Sequence, residues 1–128
     1  MKKITVEVEL SFEIEAIDQL LTTAFEGGSN YWYHTKATNI PKPPGFTRNE
    51  EIYYTFLDKI YQGSSMEIYD IETEDFLGTL SMDNIRRGVK LLAEEHPLHF
   101  SAWTSGDWDA ETADVFFQLV VMGELVFG

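Results

Sequence analysis

An α+β fold is predicted: a single domain over residues 1–128, with a mixed or antiparallel sheet packed with helices and the C-terminal helix at its centre. Three patterns predict it. Short stretches of alternating or aromatic residues read as strands, and longer stretches with apolar residues three and four apart read as helices. The two kinds are interleaved around a hairpin, where a doubly wound sheet would repeat strand and helix in turn. The last helical stretch, finally, is apolar nearly all round, which suits a helix enclosed by the others.

The elements follow in order. Ile4, Val6, Val8 and Leu10 alternate with Thr5, Glu7 and Glu9, the pattern of a strand with one buried face. Ser11 then reads as an N-cap for a helix bearing Ile14, Ile17, Leu21, Ala24 and Phe25. Gly27 and Gly28 end it, one of them expected at positive φ. Asn30 to Thr35 is short and aromatic, a strand profile, and the prolines of Asn39 to Gly45 make a rigid loop. Asn49 to Tyr61 is helical, with Ile52, Tyr53, Phe56, Leu57 and Ile60 on one face and Gly63 as its stop. Met66–Ile71 and Phe76–Leu80 form a hairpin around the acidic turn Glu72–Asp75.

Ser81 caps the next helix, with Ile85, Val89 and Leu92 inward and the pairs Asp83–Arg87 and Lys90–Glu94 outward at i,i+4 spacing. Pro97 closes that helix or opens a short one containing Phe100 and Trp103. Asp107 or Asp109 caps the final helix, Ala110–Met122, which Gly123 stops, and Glu124–Phe127 is long enough for a closing strand. The predicted order is β-α-β-α-β-β-α-α-β, plus the short helix if Pro97 opens one.

Composition narrows the function classes. The apolar share of 44% suits a packed domain. The absence of cysteine removes disulfides, thiolate metal sites and a cysteine nucleophile. The N-terminal stretch alternates with acids, unlike a signal peptide, and no apolar run approaches the ~18 residues of a membrane span. The expected location is therefore the cytoplasm. A net charge of −13 argues against direct binding to nucleic acid or to an anionic membrane, both of which need clustered Lys and Arg. It favours a protein partner with a basic surface.

Two constellations are candidate binding sites. Glu7, Glu9, Glu13, Glu15 and Asp18 place carboxylates roughly 6–7 Å apart, comparable with phosphates along a DNA strand. Such a surface can imitate nucleic acid, and it can equally be a solvated face. Ser29, Asn30, Tyr31, Trp32 and Tyr33 follow the two glycines and bring short polar groups beside three rings. With Asp114 and Gln118, four apart on the apolar last helix, they are the candidates for a small-ligand pocket. The same segment also reads as a helix stop leading into a core strand. Asp114 and Gln118 also read as satisfying the backbone of a neighbouring loop, since unpaired polar groups on such a helix are costly.

His96 and His99 lack a third ligand, so no metal site is expected. No nucleophile–base spacing stands out. No catalytic residue and no cofactor are assigned. Arg86, Arg87 and Lys90 form the one basic cluster and read as self-paired.

Two stretches, EGGSNYWY (Glu26 to Tyr33) and ADVFFQLVVMGELVFG (Ala113 to Gly128), resemble a family of small proteins encoded by bacteriophages, prophages and other mobile elements. The resemblance covers both ends of the chain and not Lys36 to Tyr69. It implies that Asp114, Gln118 and the glycine motif form one structural feature, and it supplies no catalytic residues. In that context the expected function is non-enzymatic binding of a host protein through the acidic surface, in counter-defence. A protein that sequesters a small molecule or nucleotide in the pocket is the alternative. An accessory replication or assembly protein is the third reading.

Overall fold

The structure is a computed structural model that describes residues 2–35 and 57–128. The expected Pro-rich loop, and the part of the fourth expected element before Leu57, lie outside the described residues. Helix α1 spans Ile14–Thr23 and runs into a single π-helical turn, Ala24–Gly28. Strand β1 is Tyr33–His34. Residues 57–61 are helical (α2), with Leu57 and Ile60 buried, and Gly63 follows at φ +111°. Strands β2 (Met66–Asp70) and β3 (Phe76–Leu80) form the expected hairpin. Helices α3 (Met82–Glu95), α4 (Pro97–Ser105) and α5 (Ala110–Met122) complete the chain.

The sheet is antiparallel in the order β1-β2-β3. Tyr33 stands opposite Asp70, and Met66 opposite Leu80, with an irregularity at Ile68/Tyr69. The hairpin turn is held by Asp70, whose carboxylate accepts from the Glu72 and Thr73 backbone N–H groups at 2.7 and 3.1 Å.

Helix α5 is central. Every residue from Val115 to Val121 is buried, and the helix packs against α1, the π turn, β3, α3 and α4. Such a helix can be enclosed only if its neighbours approach closely, and two glycines permit this. A Cβ on Gly78 of β3 would lie 2.0 Å from the Val121 carbonyl oxygen, and one on Gly88 of α3 would lie 2.4 Å from Val120 Cγ2. The helix ends are capped as their sequences require. The Ser81 hydroxyl accepts from Asn84 N–H, and Asp109 accepts from Glu111 and Thr112 N–H. Pro97 occupies the first turn of α4, and Gly106 and Gly123 end α4 and α5 in the left-handed conformation.

Several expectations are corrected. Ile4–Leu10 is no strand: Ile4, Val6, Val8 and Leu10 are 93, 71, 71 and 50% exposed, and residues 2–12 form no hydrogen bond among the described residues. Alternation specifies a face, but a strand also needs a neighbouring edge for its N–H and C=O groups. Helix α5 is central as expected, but the sheet it covers is β1-β2-β3. Ser11 is not the N-cap of α1: Glu13 holds that position without a side-chain bond. Phe12 anchors the chain first, stacked on Trp103 at 4.6 Å and edge-on to Phe100 at 6.1 Å, so the helix starts after it.

Neither Gly27 nor Gly28 has positive φ. Asp83 pairs with Arg86 at 3.2 Å, while Arg87 reaches across to donate to the Val120 carbonyl at 2.6 Å. A cation at the end of α5 meets carbonyls without intrahelical partners, a better site than a solvated carboxylate. Glu124–Phe127 is irregular, not a strand, for a reason that lies in Gln118.

Candidate functional site

The π turn sets the geometry of the EGGSNYWY segment. Its wider winding ends with Ser29 N–H donating to the Ala24 carbonyl at 2.9 Å, and Trp32 N–H then donates to the Ser29 carbonyl at 3.1 Å. Gly28 is needed for contact: a Cβ there would lie 2.8 Å from the Ala110 carbonyl oxygen, whereas one on Gly27 would meet nothing within 4 Å. The turn therefore sits directly against the first turn of α5, and this brings Ser29 and Trp32 to Asp114.

Asp114 is half-buried and receives four donors. Its Oδ1 accepts from the Ser29 hydroxyl and from Trp32 Nε1–H, both at 2.8 Å. Its Oδ2 accepts from the Tyr31 hydroxyl at 2.6 Å and from Gln118 Nε2–H at 3.2 Å. A carboxylate offers about four acceptor sites, so this one is saturated. Burial, and then the bond to Asp114, push the Tyr31 hydroxyl up to about 12. Both effects keep it protonated and donating.

Gln118 extends the network to the C-terminal segment. Its Oε1 accepts from Val126 and Phe127 N–H, both at 2.9 Å, and its Nε2–H donates to the Phe127 carbonyl at 3.1 Å. The amide stands in for the neighbouring peptide that a closing strand would need, which explains why 124–127 can be held without pairing. The Phe127 ring is then stacked on Trp32, with centroids 5.2 Å apart and planes 13° apart. Trp32 itself is 1% exposed and also packs on Tyr33 and Phe117.

The structure thus joins Ser29, Tyr31, Trp32, Asp114 and Gln118 in one network. Tyr33 lies beneath it in the core, and Asn30 is exposed with no hydrogen bond among the described residues. The members satisfy one another, and the space a planar ligand would take between the rings is filled by Phe127. The arrangement ties the N-terminal half, the central helix and the C-terminal segment together.

The acidic residues are distributed differently. Glu7, Glu9, Glu13 and Glu15 are exposed, and their side chains make no bond among the described residues. Asp18 is half-buried and accepts from the Tyr61 hydroxyl at 2.8 Å, so it belongs to the packing of α1 on α2. Burial and the Asp18 bond raise the Tyr61 hydroxyl far above its ordinary range. The histidines do not converge: His99 Nδ1 meets Thr112 Oγ1 at 2.9 Å, His34 packs beside Tyr69, and His96 sits between α3 and α4. Among the described residues no three potential metal ligands cluster, and no helix is long and apolar enough to cross a membrane.

Sequence reasoning missed a cleft of about 930 Å3 between the N-terminal segment and helices α1 and α3. Val6, Val8 and Leu10 line one wall; Ile17 of α1 and Ile85 and Val89 of α3 line the other. Its signal was present in the alternating N-terminal residues, whose partner the sequence left unspecified. In comparison with known families, curated proteins and solved structures, nothing matches the chain.

Proposed function

We propose that this protein acts by binding a host protein that presents a basic surface, with Glu7, Glu9, Glu13 and Glu15 as the contact carboxylates, in the counter-defence setting its phage-type motifs suggest. One observation carries the reading: these four acids are exposed, have no partner among the described residues, and stand beside the exposed apolar side chains of Ile4, Val6, Val8, Leu10 and Ile14. Other acids, Asp18 and Asp114 among them, are engaged in holding the fold. Apolar side chains left in water beside unpaired charges are the composition of an interaction surface. The saturation of Asp114 favours this reading over ligand sequestration.

The test is capture from host lysate at about 0.05 and 0.5 M salt, where screening lengths differ about threefold. Wild type is compared with Glu7→Lys/Glu9→Lys/Glu13→Lys and with Glu72→Lys/Glu74→Lys/Asp75→Lys on the hairpin turn. A partner retained at low salt by wild type and the turn variant, but not by the first variant, is the expected result. Equal retention by all three would defeat the proposal.

A further inference from the structure

Residues 2–12 combine three properties. Their backbone N–H and C=O groups are unpaired among the described residues; Ile4, Val6, Val8 and Leu10 alternate with Thr5, Glu7 and Glu9; and Thr5, Val6, Glu7, Val8 and Leu10 form one wall of the cleft, opposite the apolar Ile17 of α1 and Ile85 and Val89 of α3. A β-prone segment with free ladder groups beside an apolar floor is the acceptor half of a strand pairing. We infer that the cleft takes up an extended segment of the partner protein, which pairs with Thr5–Leu10 as an added β-strand and alternates apolar residues with Lys or Arg. This rests on the protein-binding reading above and specifies how that surface is used.

The occupant's chemistry follows from what it would face. Six paired residues span about 20 Å. Apolar side chains on one face of the added strand would lie on Ile17, Ile85 and Val89, which line the cleft. On the other face, residues opposite Glu7 and Glu9 are favoured if cationic and disfavoured if acidic. The helix wall does not reverse this preference: Arg86 is held by Asp83 at 3.2 Å, and Lys90 shares its wall with Glu94. A second copy of this chain fits less well, because antiparallel pairing of two Thr5–Leu10 segments in their central register sets Glu7 against Val8 and Val6 against Glu9, which puts carboxylates on the face that has to be apolar.

The test uses the whole chain and three synthetic probes: a cyclic β-hairpin with an edge strand of alternating Val and Lys, the same hairpin with Glu for Lys, and a helical peptide of the same positive charge. Binding is read by fluorescence anisotropy and by amide hydrogen exchange over residues 4–10. The Val/Lys hairpin should bind and protect those amides, and the Val/Glu hairpin should not. Val6→Pro removes a ladder donor that the free protein does not use, so it should leave thermal stability unchanged and weaken the hairpin about tenfold.

Equal binding of hairpin and helical peptide, with Val6→Pro silent and Glu7→Lys/Glu9→Lys harmful, would overturn strand addition while leaving the electrostatic surface in place. If no cationic probe bound and Glu7→Lys/Glu9→Lys left lysate capture unchanged, both readings would fall. Protection of residues 4–10 without any probe, with a dimeric mass in sedimentation, would assign the cleft to a second copy and overturn the inference.

Discussion

Residues 26–33 with 113–128 form one region of this molecule, and residues 2–12 form another. Both mix apolar side chains with carboxylates, yet Asp114 receives four hydrogen bonds while Glu7 and Glu9 receive none among the described residues. The difference is tertiary. In the first region a π turn, a glycine and an amide side chain bring donors to an acceptor from three places in the sequence. In the second no described element forms a hydrogen bond with the segment. The first region ties parts of the fold together, and the second has bonding capacity that no described residue meets, which is the reason to look for a partner there.

The comparison breaks most readily at Asp114. Asp114→Ala leaves the Ser29, Tyr31 and Trp32 donors without their acceptor, two of them on buried residues, and should cost about 4 kcal/mol. Asp114→Asn keeps one acceptor oxygen and should cost about half of that. Denaturant midpoints of the two variants check both values. A loss below about 1 kcal/mol for Asp114→Ala would mean that the network does not hold the fold.

A smaller effect separates the two glycines of the motif. Gly28→Ala drives a methyl group against the Ala110 carbonyl and should cost about 2 kcal/mol, the scale of overpacking. Gly27→Ala meets open space at negative φ and should be neutral or stabilising by about 0.5 kcal/mol. Thermal unfolding of the pair decides whether close approach, as argued, or a left-handed backbone is what the motif demands.

Alkaline pH sharpens the same comparison. The Tyr31 hydroxyl is raised to about 12 in the folded protein, above its ordinary 10.0. A raised acid contributes its stability below the unfolded value and loses it as pH climbs through the folded one. The stability difference between wild type and Tyr31→Phe should therefore hold steady up to about pH 9 and shrink between roughly 10 and 12. Tyr61 shifts in the same direction in both proteins and cancels in the difference. Urea titrations at stepped pH measure it; a flat difference would detach Tyr31 from Asp114.

The smallest effect is expected at the other region. Removal of residues 2–9, or Val6→Asp, should change the unfolding free energy by less than about 1 kcal/mol, since that stretch buries little and bonds to nothing described. A cooperative loss of several kcal/mol would show that the segment belongs to the core after all.

Local chemistry made much of the fold legible in the sequence. The hairpin around Glu72–Asp75, α3 behind Ser81 and α5 before Gly123 depend on periodicity and caps a few residues away and are found as expected, while the structure chooses between the alternatives the sequence left open, with Pro97 opening α4 and Asp109 capping α5. That Asp114 and Gln118 would be paired was also foreseeable, because two polar groups on an apolar helix need partners. What no local pattern contained was the identity of distant neighbours. Alternation in Ile4–Leu10 could not say whether an edge would be there to pair with. A pair of glycines could not say that one of them meets the Ala110 carbonyl. Arg87 could not be seen to prefer the end of α5 over Asp83, nor Gln118 to replace a strand for Val126 and Phe127. The sequence determined which faces are apolar and where helices start and stop, because those depend on neighbours along the chain. Only the tertiary structure decided which polar groups are satisfied and which have no partner among the described residues, because a hydrogen bond depends on what arrives from elsewhere.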